Sequence, residues 1–220
     1  MINIEKQNQL LLSISKRLKK KIICYAIGGT AMMFYELKNS TKDIDLVFEN
    51  ENDRKTFIES LESLGYSKMD SRIVYGKKKN QPEMLKLGDE RIDLFLLEVI
   101  SFVFSENSKK RIDTIREFAP NLTIKVVNPM DIFLMKCATE REKDMDDAKA
   151  ILEKGLIKWE IILEEVKNQI SLGKARTALD LGYFLEQLGK QGMNIPKQVL
   201  DDLFKILEKQ IKEERRKIKG

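Results

Sequence analysis

The 220-residue sequence contains no histidine. This absence excludes Ser-His-Asp and Cys-His nucleophile systems, and any zinc or iron site that depends on imidazole ligands. Cys24 and Cys137 are the only cysteines, too few for a four-thiolate metal site, and they give no disulfide framework. Carboxylate oxygens remain as metal ligands, and they suit Mg²⁺, Mn²⁺ or Ca²⁺. Any metal site must therefore be built from aspartate and glutamate.

Long apolar segments are also missing. No run approaches the roughly 20 residues of a membrane span, and the stretch 95–104 is interrupted by Glu98. The first residues are polar and lack the apolar stretch of a signal peptide. We therefore expect a soluble, cytoplasmic protein with no membrane partner. Charged residues make up 34% of the chain and the net charge is +5, which permits contact with a polyanion without establishing it.

The pattern of apolar residues changes near residue 127. Asn128 and Pro129 have the pattern of an N-cap followed by proline at the first helical position, and the chain after them shows almost only helical periodicity. We therefore predict an α+β protein with a mixed α/β domain at 1–127 and a helical C-terminal domain at 128–220. In the first domain the pattern predicts helices at 4–20, 30–37 and 50–64, and strands at 21–27, 44–48, 73–75, 84–87, 91–97 and 122–127.

A diglycine sequence, Gly28-Gly29, separates the first of these strands from a helix that begins near Thr30. Glycine adopts positive φ angles and lets the backbone approach a phosphate closely. The N-terminus of the following helix offers backbone N–H groups and a partial positive charge. Taken alone, a Gly-Gly sequence is more often only a turn.

Three aspartates lie on two of the predicted strands. Asp43 and Asp45 are two residues apart on one strand, so both side chains project from the same face, where a divalent cation would offset their repulsion. The alternative is an exposed strand edge with two solvated carboxylates. Asp93 interrupts an apolar run, and a carboxylate there needs a metal or an ion pair. The alternative is that Asp93 reaches solvent or pairs with Arg91.

Together, the glycine turn and the three carboxylates have the arrangement needed for two-metal phosphoryl or nucleotidyl transfer. Gly28-Gly29-Thr30 followed by Thr41-Lys42-Asp43-Ile44-Asp45-Leu46 resembles the nucleotidyltransferase-fold superfamily that includes DNA polymerase β, and Asp93 fits the third carboxylate of its pattern. This resemblance implies a mixed sheet flanked by helices, followed by a helical C-terminal domain.

A closer resemblance, to the AbiEii-type abortive-infection nucleotidyltransferases and their archaeal and bacterial relatives, rests on Asn128-Pro129, Lys136 and the segment 141–147, which reads Arg-x-Lys-Asp-x-x-Asp. The match covers roughly residues 22–152. Asn39 stands where the family often has arginine, although the neighbouring Lys38 could substitute for it.

The resemblance also implies roles for these residues. Asp43 and Asp45 would bind Mg²⁺ or Mn²⁺, and Asp93 would complete the site and act as a base toward the acceptor. The nucleotide would be contacted by a further set of residues: Gly28, Gly29, Thr30, Lys136 and Asp144.

The helix that is predicted to begin at Pro129 extends through this last motif. Its charged residues then share one face, and the alternative to nucleotide contact is a solvated face with ion pairs. The residues of this face are Lys136, Glu140, Lys143, Asp144 and Asp147.

The expected reaction is transfer of a nucleoside monophosphate from an NTP to an acceptor hydroxyl. The resemblance suggests tRNA or another RNA as acceptor, and a cognate antitoxin protein as a partner. Basic stretches at 16–21, 77–79 and 215–219 could follow an RNA backbone, or could be solvated surface. Two alternatives stay open: AMP transfer to a protein or small-molecule hydroxyl, and a non-catalytic nucleotide-binding or partner-binding module of a toxin–antitoxin pair.

Overall fold

The computed structural model describes residues 1–138 and 142–219. These residues form two compact units that divide between Ile132 and Phe133. The predicted domain boundary between residues 127 and 128 stays a prediction. Within the two described ranges, no helix has both the length and the apolar character needed to cross a bilayer.

The first unit contains a nine-stranded mixed sheet and a separate two-stranded antiparallel sheet formed by β1 and β3. The main strand order is β10-β11-β2-β4-β7-β6-β5, and β8 pairs with β7 on one side and with β9 on the other. The pairs β11–β2 and β4–β7 are parallel, and the other neighbours are antiparallel. The strands are β1 (Ile2–Asn3), β2 (Ile22–Ala26), β3 (Ser40–Thr41), β4 (Asp43–Phe48), β5 (Ser67–Met69), β6 (Glu83–Leu87), β7 (Glu90–Leu96), β8 (Glu98–Val99), β9 (Phe102–Val103), β10 (Thr114–Phe118) and β11 (Leu122–Val126).

Helices flank this sheet, so the predicted α+β class with a mixed sheet between helices is confirmed. The helices α2 and α3 pack on its central strands, and α1 packs on β10 and β11. The first unit contains α1 (Ile4–Ser15), α2 (Gly28–Phe34), α3 (Glu51–Glu62), α4 (Arg72–Tyr75), α5 (Glu106–Lys110) and the start of α6 (Pro129–Cys137).

The two parallel strands at the centre of the sheet, β4 and β7, are covered on both faces. Ile44, Leu46 and Val47 on β4 are fully buried, as are Ile92 and Leu94 on β7. Parallel strands covered on both faces read as nearly continuous apolar runs in sequence, which is why these two strands are easy to predict.

The predicted strand at 73–75 is wrong, because these residues form the short helix α4. Asp70 accepts a hydrogen bond from the backbone N–H of Arg72, and Gly76 follows the helix with a φ of +62°. The β-branched Ile73 and Val74 are exposed. A β-branched residue favours a strand when it packs on a half-buried pleated surface, and that surface is absent here.

Six of the described strands were not predicted. β1, β3, β8 and β9 contain only two residues each, and β5 and β10 lie at the two ends of the strand order. Edge strands pair on one side only and carry polar side chains, so their sequences lack a clear apolar alternation. Their polar sequences, Ser-Lys-Met and Thr-Ile-Arg-Glu-Phe, fit this description.

The second unit is helical throughout the part that the structure describes. The predicted continuous helix from Pro129 through Asp147 is wrong, because α6 ends at Cys137 and a new helix begins at Glu142. The rings of Trp159 and Phe184 both make edge-to-face contacts with Phe133, at centroid distances of 6.1 Å. The remaining helices are α7 (Glu142–Glu153), α8 (Trp159–Ser171), α9 (Thr177–Lys190) and α10 (Lys197–Lys219).

A buried hydroxyl joins the end of α1 to the turn between β10 and β11. The Ser15 hydroxyl donates to the carbonyl of Phe118 at 2.5 Å and accepts from the backbone N–H of Asn121 at 3.0 Å. We expect Ser15→Ala to lower the free energy of unfolding by about 1–3 kcal/mol, because two backbone groups then lose their partner. The exposed Ser13 on the same helix is the control, since Ser13→Ala should change the value by less than about 0.5 kcal/mol. Urea unfolding measures both, and equal losses would contradict the assignment.

Candidate active site

The pairing of β4 with β7 brings the three predicted carboxylates together. Asp45 and Asp93 are direct partners in this parallel register. One oxygen from each of Asp43, Asp45 and Asp93 lies within 4.8 Å of the other two. Asp93 is fully buried and Asp43 is 6% exposed, whereas Asp45 is half-buried. We call these three residues the acidic triad, and oxygen ligands of this kind fit Mg²⁺ or Mn²⁺.

Arg91 bridges two members of the triad. It is the register partner of Asp43 and lies two residues before Asp93 on the same strand face. Its Nη2 donates to Asp43 Oδ2, and its Nε donates to Asp93 Oδ1 at 3.0 Å. The Arg91–Asp93 ion pair, which the sequence offered as an alternative to a metal, is therefore present within the triad itself.

Tyr75 is a site residue that the sequence did not reveal. Its hydroxyl donates to Asp93 Oδ2 at 2.7 Å, and its ring makes an edge-to-face contact with Phe95 at 6.1 Å. Both oxygens of Asp93 therefore accept a hydrogen bond from a protein donor. Tyr75 belongs to α4, which was predicted as a strand. It lies 18 residues before Asp93, and no helix or strand periodicity relates two residues at that separation.

The diglycine segment packs directly against the triad. Gly28 begins α2 with a φ of +53°, and a Cβ at this position would lie 3.0 Å from Asp45 Oδ2. A Cβ on Gly29 would lie 2.5 Å from Thr41 Oγ1. Thr30 is fully buried, and its hydroxyl accepts from the backbone N–H of Asp45 at 2.8 Å. These contacts hold the start of α2 against β3 and β4 and disfavour a side chain at either glycine.

Lys136 and Asp144 lie in a buried cluster of the second unit. Lys136 Nζ donates to Asp144 Oδ1 at 2.8 Å and to Asp147 Oδ2 at 2.5 Å, and all three residues are buried. Burial disfavours the charged form of Lys136, but the two carboxylates outweigh it and raise its pKa above the ordinary 10.5. The Lys143 side chain of the same motif is exposed, and Glu140 and Arg141 lie outside the described residues.

The lysine and arginine side chains of the basic stretches are exposed wherever they are described. The three lysines at 77–79 are exposed and follow Tyr75 directly after Gly76. In the stretch 16–21 only Leu18 is buried, and Lys20 forms a salt bridge of 2.6 Å with Asp53. These positions are open to solvent, which both contact with an RNA backbone and a simple solvated surface require.

The mixed sheet, the glycine turn and the three clustered carboxylates are the features on which the resemblance to the nucleotidyltransferase fold rests. Residues 1–181 match the family described as "Nucleotidyltransferase of unknown function (DUF6036)". The chain belongs to this family and is a nucleotidyltransferase.

One solved structure with similarity to this chain is that of ANT(2″)-Ia in complex with adenylyl-2″-tobramycin. The sequence identity is 16% and the TM-score is 0.44, and the match covers 82% of this chain and 98% of that chain. No curated protein matches the chain significantly.

The close packing of the diglycine segment gives a prediction about stability. We expect Gly29→Ala to lower the free energy of unfolding by about 1–3 kcal/mol, because the new Cβ would overlap the Thr41 side chain. Gly182 within α9 is the matched control, because no heavy atom lies within 4 Å of a Cβ built there. Gly182→Ala should raise the free energy of unfolding by about 0.5–1 kcal/mol through helix propensity. Urea unfolding decides, and a Gly29→Ala protein as stable as the wild type would show that the contact is not tight.

The Lys136 cluster gives a prediction with a pH dependence. Lys136→Met should lower the free energy of unfolding by about 3–5 kcal/mol near neutral pH, because two buried carboxylates lose their cation. Since the pKa of Lys136 is raised on folding, the cluster contributes stability below pH 10.5 and loses it as the pH rises through the folded value. The difference between wild type and variant should therefore shrink only in strong alkali.

Urea unfolding at neutral and alkaline pH measures this difference. The exposed Lys154→Met is the control and should change stability by less than about 0.5 kcal/mol. A Lys136→Met loss no larger than that of the control, or a difference that grows with pH, would contradict the prediction.

Proposed function

We propose that this nucleotidyltransferase transfers a nucleoside monophosphate from an NTP to an acceptor hydroxyl, with Asp43, Asp45 and Asp93 as its catalytic carboxylates. The observation that carries the proposal is the approach of one oxygen from each to within 4.8 Å of the others. When bound there, Mg²⁺ or Mn²⁺ would neutralise the triphosphate and the leaving pyrophosphate and activate the acceptor. The acceptor oxygen forms a bond to the α-phosphorus, and the bond from that phosphorus to pyrophosphate breaks.

The triad residues take different parts in this proposal. Asp43 and Asp45 are the metal ligands, and the half-buried Asp45 is the most accessible of the three. Asp93 completes the ligand set and accepts the proton of the acceptor hydroxyl, a role that requires hydrogen-bond reach. Gly28, Gly29 and Thr30 hold the β- and γ-phosphates through backbone N–H groups at the start of α2, because the buried Thr30 hydroxyl already binds β4.

Lys136 and Asp144 are assigned to the nucleotide on the motif resemblance alone. Both are buried, and Lys136 lies between Asp144 and Asp147. A phosphate that reaches Lys136 must therefore replace a carboxylate or share the ammonium group with it. This requirement makes the Lys136 contact the most demanding part of the proposed site.

We propose RNA, and tRNA in particular, as the acceptor. The net charge of +5 and the exposed lysines at 77–79 support a polyanion. These lysines follow closely after Tyr75, which contacts the proposed base Asp93. The same motif resemblance supports an AbiEii-type toxin that acts in the cytoplasm and has a cognate antitoxin.

Replacement of the proposed metal ligands tests the reaction. In the presence of Mg²⁺ or Mn²⁺, Asp43→Asn and Asp45→Asn should each reduce pyrophosphate release by about 100-fold or more, because each variant loses a charged metal ligand. The control is Asp89→Asn, an exposed aspartate in the turn between β6 and β7. Unchanged pyrophosphate release in both triad variants would contradict the proposal.

The acceptor is identified by incubating the wild-type protein with each labelled NTP, total RNA and lysate protein. Label in an RNA band that depends on Asp43 and Asp45 is the expected result. Label in a protein band or a small molecule would replace the RNA proposal with the corresponding transferase. Titration calorimetry that detects NTP binding, together with no pyrophosphate release, would favour the non-catalytic module.

A further inference from the structure

We propose that Arg91 is the resident cation of the acidic triad: it positions Asp43 and Asp93 when no divalent ion is bound, and it competes with that ion. This inference rests on the proposed metal-binding role of the triad. Arg91 is a positioning residue in this proposal, because it acts through the carboxylates of Asp43 and Asp93.

The strand register places the guanidinium group between two carboxylates. Arg91 pairs with Asp43 across the β4–β7 ladder and shares a strand face with Asp93. Two of its nitrogens bond one carboxylate each: Nη2 bonds Asp43 Oδ2, and Nε bonds Asp93 Oδ1. The planar fork of arginine presents several donors in fixed directions, so one side chain spans both groups. The compact ammonium group of lysine could not do so with the same geometry.

The exposure of the side chains puts Arg91 at the border of the cluster. Its side chain is 22% exposed, against 9% for Asp43 and 0% for Asp93. Buried carboxylates this close together repel one another, and the guanidinium group offsets one of the three negative charges. In the absence of metal, Arg91 is therefore expected to stabilise the arrangement of the triad.

The same contacts oppose a divalent ion. Asp93 already accepts from Arg91 on Oδ1 and from Tyr75 on Oδ2. An ion that takes Asp43 Oδ2 or Asp93 Oδ1 must replace the guanidinium nitrogen at that oxygen or lie next to it. Two cations at such a distance repel each other strongly in a partly buried site. Arg91 should therefore weaken metal binding while it stabilises the metal-free protein.

Neutral replacement of Arg91 separates these two effects from a purely structural role. We expect Arg91→Gln to lower the melting temperature in EDTA, to show a larger rise in melting temperature on adding Mn²⁺ than the wild type, and to bind Mn²⁺ at least about 10-fold more tightly. Calorimetry and electron paramagnetic resonance of Mn²⁺ give the affinity without an activity assay. A purely structural role would lower stability without tightening the affinity.

Two further variants complete the experiment. Arg91→Lys keeps the charge and should stay within about 3-fold of the wild-type Mn²⁺ affinity. Arg72→Met removes an exposed arginine that pairs with Asp70 outside the triad, and should change neither quantity. If Arg91→Gln folds only when Mn²⁺ is present, the proposal is supported. If Arg91→Gln folds neither with nor without Mn²⁺, the Arg91→Lys variant decides. A Mn²⁺-induced rise in melting temperature smaller than that of the wild type would overturn the proposal. An equal or larger rise would support it.

Mn²⁺ binding by the wild type and by Arg91→Gln separates a failure of the proposed function from a failure of the inference about Arg91. A wild-type protein that binds no Mn²⁺ and shows no change in melting temperature would remove the metal role of the triad, and the proposed function with it. A wild-type protein that binds Mn²⁺, together with a folded Arg91→Gln variant that binds it no more tightly, would overturn only the inference about Arg91.

Discussion

The parallel register between β4 and β7 is the constraint on which the candidate site depends. It sets Asp45 opposite Asp93 and Asp43 opposite Arg91, so one pairing brings together three carboxylates and their counter-ion. Because side chains alternate between the faces of a strand, a slip of one residue would move Asp93 to the other face of the sheet. The apolar residues that alternate with these charges are buried on the opposite face of both strands. A slip would expose them, so their burial opposes it.

The two units contain buried charge in different forms. In the second unit, Lys136 lies inside the protein with Asp144 and Asp147, and each carboxylate bonds the same ammonium group. In the first, Arg91 lies at the border of the triad and bonds Asp43 and Asp93. A fully buried cluster such as that of Lys136 favours a single arrangement of the helices that carry it, whereas clustered carboxylates at a partly exposed site favour the binding of a cation.

The predictions of secondary structure were accurate where burial decided the structure and failed where it did not. Strands β4 and β7 carry long apolar runs, and the prediction came within one or two residues of their observed ends. The edge strands β5 and β10 lack such runs, and α4 is a short exposed turn of helix in spite of its β-branched residues. The prediction that the helix from Pro129 continues through Asp147 was wrong, because charge spacing alone does not show where a helix ends.

The sequence by itself determined the chemistry that is available: without histidine, and with only two cysteines, oxygen ligands are the ones that remain, and the spacing of Asp43 and Asp45 places two of them on one strand face. Tertiary structure alone decided which groups from other elements bond these aspartates. Tyr75 reaches Asp93 from a separate helix, and Thr30 holds the backbone of Asp45 from α2. These contacts join segments far apart in the chain, and local periodicity carries no information about such distances, because packing of the sheet and its helices sets them.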